Sequence, residues 1–260
     1  MIIHSYHRTF DQIEVMLKSQ FESDPQYKNT VFVLGYNVTK DSITDIRTQY
    51  KGKRIITLQL EQLFPQSRWV AKSRMNFLDD SDEVWDYDQS NMMFLKNTFG
   101  IHSKLFTLRY APELNTLKLL PKEDHKIDIL FYGSVSDRRQ EVLNALRIAM
   151  PDKNILTATT LWGQELDDTI QTSKIVLNLH YYDINRQEQA RLFYLMCNHK
   201  CIVSETSSTN YYRNGIVEVA KDRIPNACKT LLETNAWYEY AKNSVKSIIL
   251  SNEYYKNTGI

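Results

Sequence analysis

The chain has 260 residues, 42% of them hydrophobic, which is enough to build one large core or two modest ones. Lys and Arg total 32 against 31 Asp and Glu, a formal charge of +1 that excludes a protein held to nucleic acid by its overall field, so such a partner would need a local basic patch. Cys197, Cys201 and Cys228 are odd in number and set in apolar segments, no run of about 18 apolar residues occurs, and MIIHSYHRTF lacks a signal-peptide core; a soluble, cytoplasmic protein with reduced thiols and no membrane partner is expected.

In chain order, MIIHSY predicts a strand, RTFDQIEVMLKSQF a helix from the spacing of Phe10, Ile13, Met16, Leu17 and Phe21, TVFVLGYN a strand ending in Gly35, and KRIITLQL a third strand. DEVWDY predicts a strand, SNMMFLKNTFG a helix closed by Gly100, and KLFTLRYAP a strand halted by Pro112. From Lys126 the alternation restarts with strand IDILFYGS, helix RRQEVLNALRIAM, strand NILTAT and a helix over 165–172. Strand KIVLNLHYY, helix QEQARLFYLMCN, strand KCIVSET and a helix-rich tail follow. Two such runs predict an α/β protein of two Rossmann-like, doubly wound lobes, 1–118 and 126–240, with a polar linker over 115–126 containing Pro121 and a last helix over 241–260 packing back on the first lobe. Lobes of this kind, facing each other, would put the carboxyl ends of both sheets around one ligand-binding cleft.

DILFYGSVSDRRQEVLNAL combines an apolar strand, Gly133, Ser134 and two adjacent arginines at a helix start. A glycine at a strand end lets backbone approach a ligand, Ser134 offers a hydroxyl, and the helix directs free N–H groups at the same spot. Positive charge in a first helical turn opposes the macrodipole, so Arg138 and Arg139 have a reason to be there if an anion such as a diphosphate binds. A second constellation, HYYDINRQEQARLFYLMCNHKCIVSE, sets Glu188, Arg191 and Glu205 around a helix between two strands. A third lies between Arg47 and Arg74, where Lys51, Lys53, Arg54, Arg68, Lys72 and Arg74 face Glu61 alone, with Tyr50, Phe64 and Trp69 interleaved. That mixture suits phosphate contacts and base stacking, and equally a solvated basic surface. The acidic run Asp79, Asp80, Asp82 and Glu83 reads as a solvated turn, and no metal is expected.

RLFYLMCNHKCIVSE resembles the donor-binding segment of GT-B glycosyltransferases, preserving Arg191, Phe193 and the terminal Ser204-Glu205. It departs at Tyr194, where that family usually has a ribose-gripping glutamate, and at Asn198-His199, where small residues are common; Glu188 is the candidate substitute. EQLFPQSRWVAKSRMNFLDDSDEVWDYDQSN, LRYAPEL, DILFYGSVSDRRQEVL and LDDTIQTSKIVLNLHYY occur in the same order as in CgeB-like viral and bacterial members. The resemblance implies a nucleoside-diphosphate sugar as donor, held by Gly133, Ser134, Arg138, Arg139, Lys174, Glu188, Arg191, Tyr194 and Glu205 of the second lobe, an acceptor on the first lobe, and no cofactor or essential metal.

Glycosyl transfer builds negative charge on the leaving diphosphate, which Arg138, Arg139 and Lys174 would stabilise. An inverting enzyme also needs a base; His4, His7, Glu61, Asp86 and Asp88 are candidates, with Asp86 and His7 favoured. With its small size, its Lys, Asn and Tyr content and its viral-type block order, the chain resembles a bacteriophage type of these enzymes, which implies transfer of glucose from UDP-glucose onto glucosylated hydroxymethylcytosine in double-stranded DNA, with Lys51, Lys53, Arg54, Arg68, Trp69, Lys72 and Arg74 as the residues that would grip the DNA. A protein or glycan acceptor, a sugar epimerase, and a noncatalytic nucleotide-sugar-binding module are the alternatives.

Overall fold

The computed structural model describes residues 1–212 and 214–257. It divides into two compact units, Met1–Glu113 and Leu114–Gly259. In the first, β1 (Ile2–Ser5), α1 (Asp11–Phe21), β2 (Thr30–Leu34), α2 (Ile43–Gln49), β3 (Arg54–Gln59), α3 (Lys72–Asp79), β4 (Glu83–Asp86), α4 (Gln89–Phe99) and β5 (Lys104–Leu105) alternate. Their strands form one parallel sheet in the order β1-β2-β3-β4-β5.

Alternation along each strand sorts its two faces. Val31, Val33, Ile55 and Val84 pack with Ile43 and Ile46 of α2, Met75, Phe77 and Leu78 of α3, and Leu95 of α4. Phe32 and Trp85 instead join an aromatic cluster with Phe21 of α1, Tyr27 and Phe106. Helices α2 and α3 have no counterpart in the sequence reading because each spans about two turns, too short for the 3.6-residue period to accumulate. A capping box between Ser42 and Asp45 starts α2. At the end of α4, Gly100 takes φ 72, the left-handed conformation that closes a helix. The strand expected to run to Pro112 stops at Leu105, beyond which Phe106 turns into the aromatic cluster.

The second unit contains β6 (Ile127–Tyr132), α5 (Asp137–Ala149), β7 (Ile155–Ala158), α6 (Gly163–Gln171), β8 (Ser173–Asn178), α7 (Gln189–Cys197), β9 (Cys201–Glu205), β10 (Val217–Val219), α8 (Ile224–Glu233) and α9 (Ala236–Asn257). Its parallel sheet has the order β10-β9-β8-β6-β7. Ile129, Phe131, Ile175, Leu177 and Val203 bury one face against α5 and α8, while α7 and α9 pack on each other and on β9. From β6 the chain steps outward to β7 and then back across to β8. The carboxyl ends of β6 and β8 therefore flank a topological switch point, the place where an open parallel sheet leaves a crevice.

Two boundaries differ from expectation. The segment read as a linker over 115–126 is fastened to the second unit: Thr116 and Leu117 donate their backbone N–H groups to Asn198 Oδ1 at 3.0 and 2.9 Å, and Lys118 to Gln171 Oε1 at 3.0 Å. The final helix begins at Ala236 and packs on α7, α8 and β9, with Ser244 donating to the Met196 carbonyl at 3.2 Å. Residues 258–260 of the expected 241–260 helix lie outside the described residues. Among the described residues no helix is long and apolar enough to cross a membrane, and the three cysteines are buried and form no disulfide.

Candidate functional site

The switch point of the second unit gathers most of the polar side chains expected to hold a donor. Gly133 follows β6 with φ +113, and a Cβ built on it would stand 2.9 Å from a terminal nitrogen of Arg191. The backbone conformation is one that favours glycine, and the Arg191 guanidinium lies against it. Ser134 is exposed, and its carbonyl accepts from Arg139 at 2.8 Å. Helix α5 starts one residue before Arg138, capped by Ser136, whose hydroxyl accepts from the Arg139 N–H at 3.4 Å.

Arg138 and Arg139 are both present at the crevice, and both are engaged by the protein. Arg138 meets the two carboxylate oxygens of Glu205 at 2.5 Å each, Asp183 at 2.7 Å and the His180 carbonyl at 3.3 Å. Glu205, only 3% exposed, also accepts the His180 N–H at 2.9 Å. Its hydrogen bonds hold the Arg138 guanidinium above its ordinary pKa. Arg139, 4% exposed, donates to the Leu179 carbonyl at 2.6 and 3.0 Å and to Glu188 at 2.9 and 3.2 Å. Burial lowers its pKa, and Glu188 opposes that shift. Together the two arginines tie the end of β8 to the start of α5 and to the ends of α7 and β9.

Arg191 differs. One terminal nitrogen reaches Asn178 Oδ1 at 3.4 Å and Glu188 Oε2 at 3.5 Å, and the guanidinium lies 5.6 and 5.0 Å from the ring centres of Phe131 and Tyr132. Tyr194, one turn further along α7, donates its hydroxyl to Asp167 of α6 at 2.5 Å. Burial raises the pKa of both the Tyr194 phenol and the Asp167 carboxyl, the phenol's hydrogen bond partly restraining the latter. Burial also pushes the Tyr132 phenol up to about 12. Lys174 is not brought to this cluster. It stands at the amino end of β8, the opposite edge of the sheet, and pairs with Asp128 at 2.7 Å. Of the residues expected to hold the donor, Lys174 is the one that the fold sets at the other end of its strand.

In the first unit Asp86 is fully buried at the end of β4, its Oδ1 accepting from the Asp88 N–H at 2.9 Å and from the Asn91 amide at 3.0 Å. His7 is exposed, but its Nδ1 accepts the Thr9 N–H at 3.2 Å, so the neutral ring carries its proton on Nε2. Asp86 is thus buried at the end of β4, whereas His7 lies exposed in the turn after β1. His4 bonds Tyr50 at 2.9 Å, and burial lowers its pKa.

The basic segment splits. Arg54 begins β3 and pairs with Glu83, as does Lys104 at 2.9 Å; Arg47 pairs with Asp82 at 3.0 Å, and Lys53 reaches Asn29 at 3.4 Å. These residues and the exposed Lys51 sit at the amino edge of the sheet. Arg68, Lys72 and Arg74 lie on the connection from the carboxyl end of β3 into α3. Trp69 is only 9% exposed, with the guanidiniums of Arg68 and Arg74 over its ring at 4.2 and 5.2 Å. The ring is therefore packed against two guanidiniums rather than open to solvent. Among the described residues no group of three or more His, Cys, Asp and Glu side chains could hold a metal ion.

No family model matches the chain. An uncharacterized protein, L137, of Acanthamoeba polyphaga mimivirus is 27% identical over 191 residues, covering 72% of this chain, which spans only 25% of that protein's length. Sucrose-phosphate synthase from Thermosynechococcus elongatus superposes with a TM-score of 0.53 at 9% identity over 85% of this chain and 69% of its own. A GtfA/B complex bound to UDP and GlcNAc covers 93% of this chain and 56% of its own, with a TM-score of 0.38 and 12% identity. The first of these structures shares the fold. Two parallel-sheet α/β units in succession make up the fold that this chain shares with that synthase.

Several residues at the switch point were not singled out from sequence. Tyr132 and Asn178 are the last residues of apolar strands, and a polar residue ending such a run is the signal that marks them. Asp167 carried no signal, since its role depends on Tyr194 lying across from it on another helix. His180 is buried with its Nδ1 lacking a hydrogen-bond partner among the described residues.

Proposed function

We propose that the chain is a nucleotide-sugar-dependent glycosyltransferase whose second unit binds the donor. The observation that carries this reading is the convergence of Gly133, Arg138, Arg139, Glu188 and Arg191 on the switch point of that sheet, a crevice where an anionic ligand meets backbone and guanidinium together. The shared fold and the ordered sequence blocks support it. In the reaction the bond from the sugar's anomeric carbon to the diphosphate oxygen breaks, with its electron pair leaving on the diphosphate. A bond from an acceptor oxygen forms, and the acceptor proton is released.

UDP-glucose is the proposed donor and glucosylated hydroxymethylcytosine in double-stranded DNA the proposed acceptor. The DNA reading is supported by the cations that remain exposed, Lys51, Arg68 and Lys72. The test is transfer of label from radiolabelled UDP-glucose to glucosylated phage DNA, with unmodified DNA and no acceptor as controls. Label in the DNA establishes both proposals, while free sugar released without acceptor points to a hydrolase or epimerase. Absence of transfer from any sugar nucleotide to any DNA, glycan or protein offered removes the reading.

A further inference from the structure

The chain from 181 to 188, between β8 and α7, belongs to no strand or helix, so its polar groups must find partners elsewhere. The connection that follows β9 supplies them. The Ser208 N–H donates to the Asn185 carbonyl at 2.7 Å, the Tyr211 N–H to Gln187 Oε1 at 2.9 Å, and the Tyr212 hydroxyl reaches Gln189 Oε1 at 3.5 Å. Gln187 is buried, and its Nε2 donates to Asn210 Oδ1 at 3.1 Å, which also accepts the Tyr212 N–H at 2.8 Å. Residues 185, 187 and 189 are thus fastened on one side. Glu188, between them, turns the other way, to Arg139 at 2.9 and 3.2 Å, Arg191 at 3.5 Å and the Tyr181 N–H at 3.3 Å.

This network ends on one carboxylate. Val217 and Val219 of β10 pack on the core with α5 and α8, so the alternation of a strand sends Glu218 to the opposite face, where Asn210 Nδ2 donates to its Oε2 at 2.7 Å. Burial raises the Glu218 pKa, and hydrogen bonds from Asn210, Gln187 and the Ser207 backbone restrain that rise, so donors from both connections converge on it. An ionised carboxylate only accepts hydrogen bonds, which fixes the Asn210 amide with its nitrogen toward Glu218 and its oxygen toward Gln187. Gln187 in turn must present its oxygen to Tyr211. One charge therefore sets the direction of every bond in the chain that leads to the residue beside Glu188.

We propose that Glu218, acting through Asn210 and Gln187, is a positioning residue that holds Glu188 at the crevice. The placement of Glu188 stands on these hydrogen bonds; what Glu188 does once there rests on the nucleotide-sugar reading. With Glu218 replaced, Asn210 loses the acceptor that fixes its orientation, the 185–189 segment loosens from the connection after β9, and Glu188 moves away from Arg139.

The experiment compares the full wild-type chain with Glu218→Ala, Glu218→Gln, Glu188→Gln and the double variant Glu218→Ala with Glu188→Gln, thermal unfolding serving as the check on folding. Hydrogen exchange over 181–189 and 206–212 is expected to speed up at least about tenfold in Glu218→Ala, the scale of one lost hydrogen bond to a charged group. Glu218→Gln, which keeps an acceptor for Asn210, should recover most of that loss. The Glu188 carboxyl-carbon resonance, assigned from its absence in Glu188→Gln, should move in Glu218→Ala and return in Glu218→Gln. In a sugar-transfer assay Glu218→Ala is expected to lower kcat/KM about tenfold in the wild-type background and less than about twofold where Glu188 is already replaced, as for a residue that acts through another. Should Glu218→Ala fail to fold, Gln187→Met, which breaks the link and leaves Glu218 in place, is read in its stead. Exchange and resonance both unmoved overturn the assignment, as do rate losses that multiply in the double variant. No transfer by the wild type with any sugar nucleotide and acceptor offered removes the glycosyltransferase reading, while exchange and resonance still decide the placement of Glu188.

Discussion

Arg138 and Glu205 face each other as a fork on a fork, both terminal nitrogens on both oxygens at 2.5 Å, joining the start of α5 to the end of β9. With Glu205 buried, removal of Arg138 would strand a carboxylate in the interior. Arg138→Ala is therefore expected to lower unfolding free energy by about 3 kcal/mol, the scale of a broken buried ion pair. Urea denaturation measures it, and the double variant Arg138→Met with Glu205→Met should recover part of the loss. A single variant as stable as the wild type would show that this pair does not brace the strand ends.

Tyr194 and Asp167 make the corresponding tie between α7 and α6. Burial raises the pKa of Asp167, and the phenol's hydrogen bond favours the charged carboxylate and holds that rise back. In Tyr194→Phe the restraint is gone, so Asp167 should titrate at a higher pH than in the wild type, seen by carboxyl-carbon NMR. Loss of a hydrogen bond to a charged group should also cost about 2 kcal/mol of stability. An unmoved Asp167 titration would mean that the two side chains do not interact in solution.

Most strands were legible because they are runs of four to six residues rich in apolar side chains with a stop signal, as in β6 before Gly133 or β2 before Gly35, whereas β10, only three residues long, went unread within the helix-rich tail. Positions at strand ends were legible for the same reason, which is why Gly133, Arg138, Arg139, Glu188, Arg191 and Glu205 all fall at one crevice. Which of those charges is already spent could not be read, because pairing is decided across the fold: Arg138 finds Glu205 and Arg139 finds Glu188 only when β6, β8 and β9 are side by side. Lys174 and the basic stretch from Lys51 to Arg74 fail for a related reason. A strand carries neighbours in sequence to opposite edges of a sheet, so density of charge along the chain is not density in space.

That separation bears on DNA binding. Arg54 is engaged by Glu83 at the amino edge, whereas Arg68 and Lys72 are exposed beyond the carboxyl end of β3. If the proposed DNA acceptor is right, replacing Arg68 and Lys72 together by alanine is expected to weaken binding to double-stranded DNA and to reduce the slope of log affinity against log salt by about 2. Arg54→Ala should leave the slope unchanged and lower the melting temperature. Fluorescence anisotropy across a salt series checks both; an unchanged slope in the double variant would remove DNA from the partners of this surface.

Lys200 sets a pH dependence in the second unit. It is 1% exposed, with its ammonium donating to the carbonyls of Gln171 at 2.9 Å and Ser173 at 3.4 Å, at the end of α6 where helix carbonyls lack partners. Burial pulls its pKa from 10.5 down to about 7. Between those values the unfolded chain holds a proton that the folded chain has released, so the contribution of Lys200 to stability rises with pH across that window and is lowest below its lower end. Lys200→Met removes the titration. The wild-type unfolding free energy minus that of the variant should therefore climb by about 1 to 3 kcal/mol from pH 7 to 9.5. Taking the difference cancels the other titrating groups, including Cys228, which burial raises to about 12 and which opposes stability at alkaline pH. A flat difference would mean that water reaches the ammonium and keeps it charged.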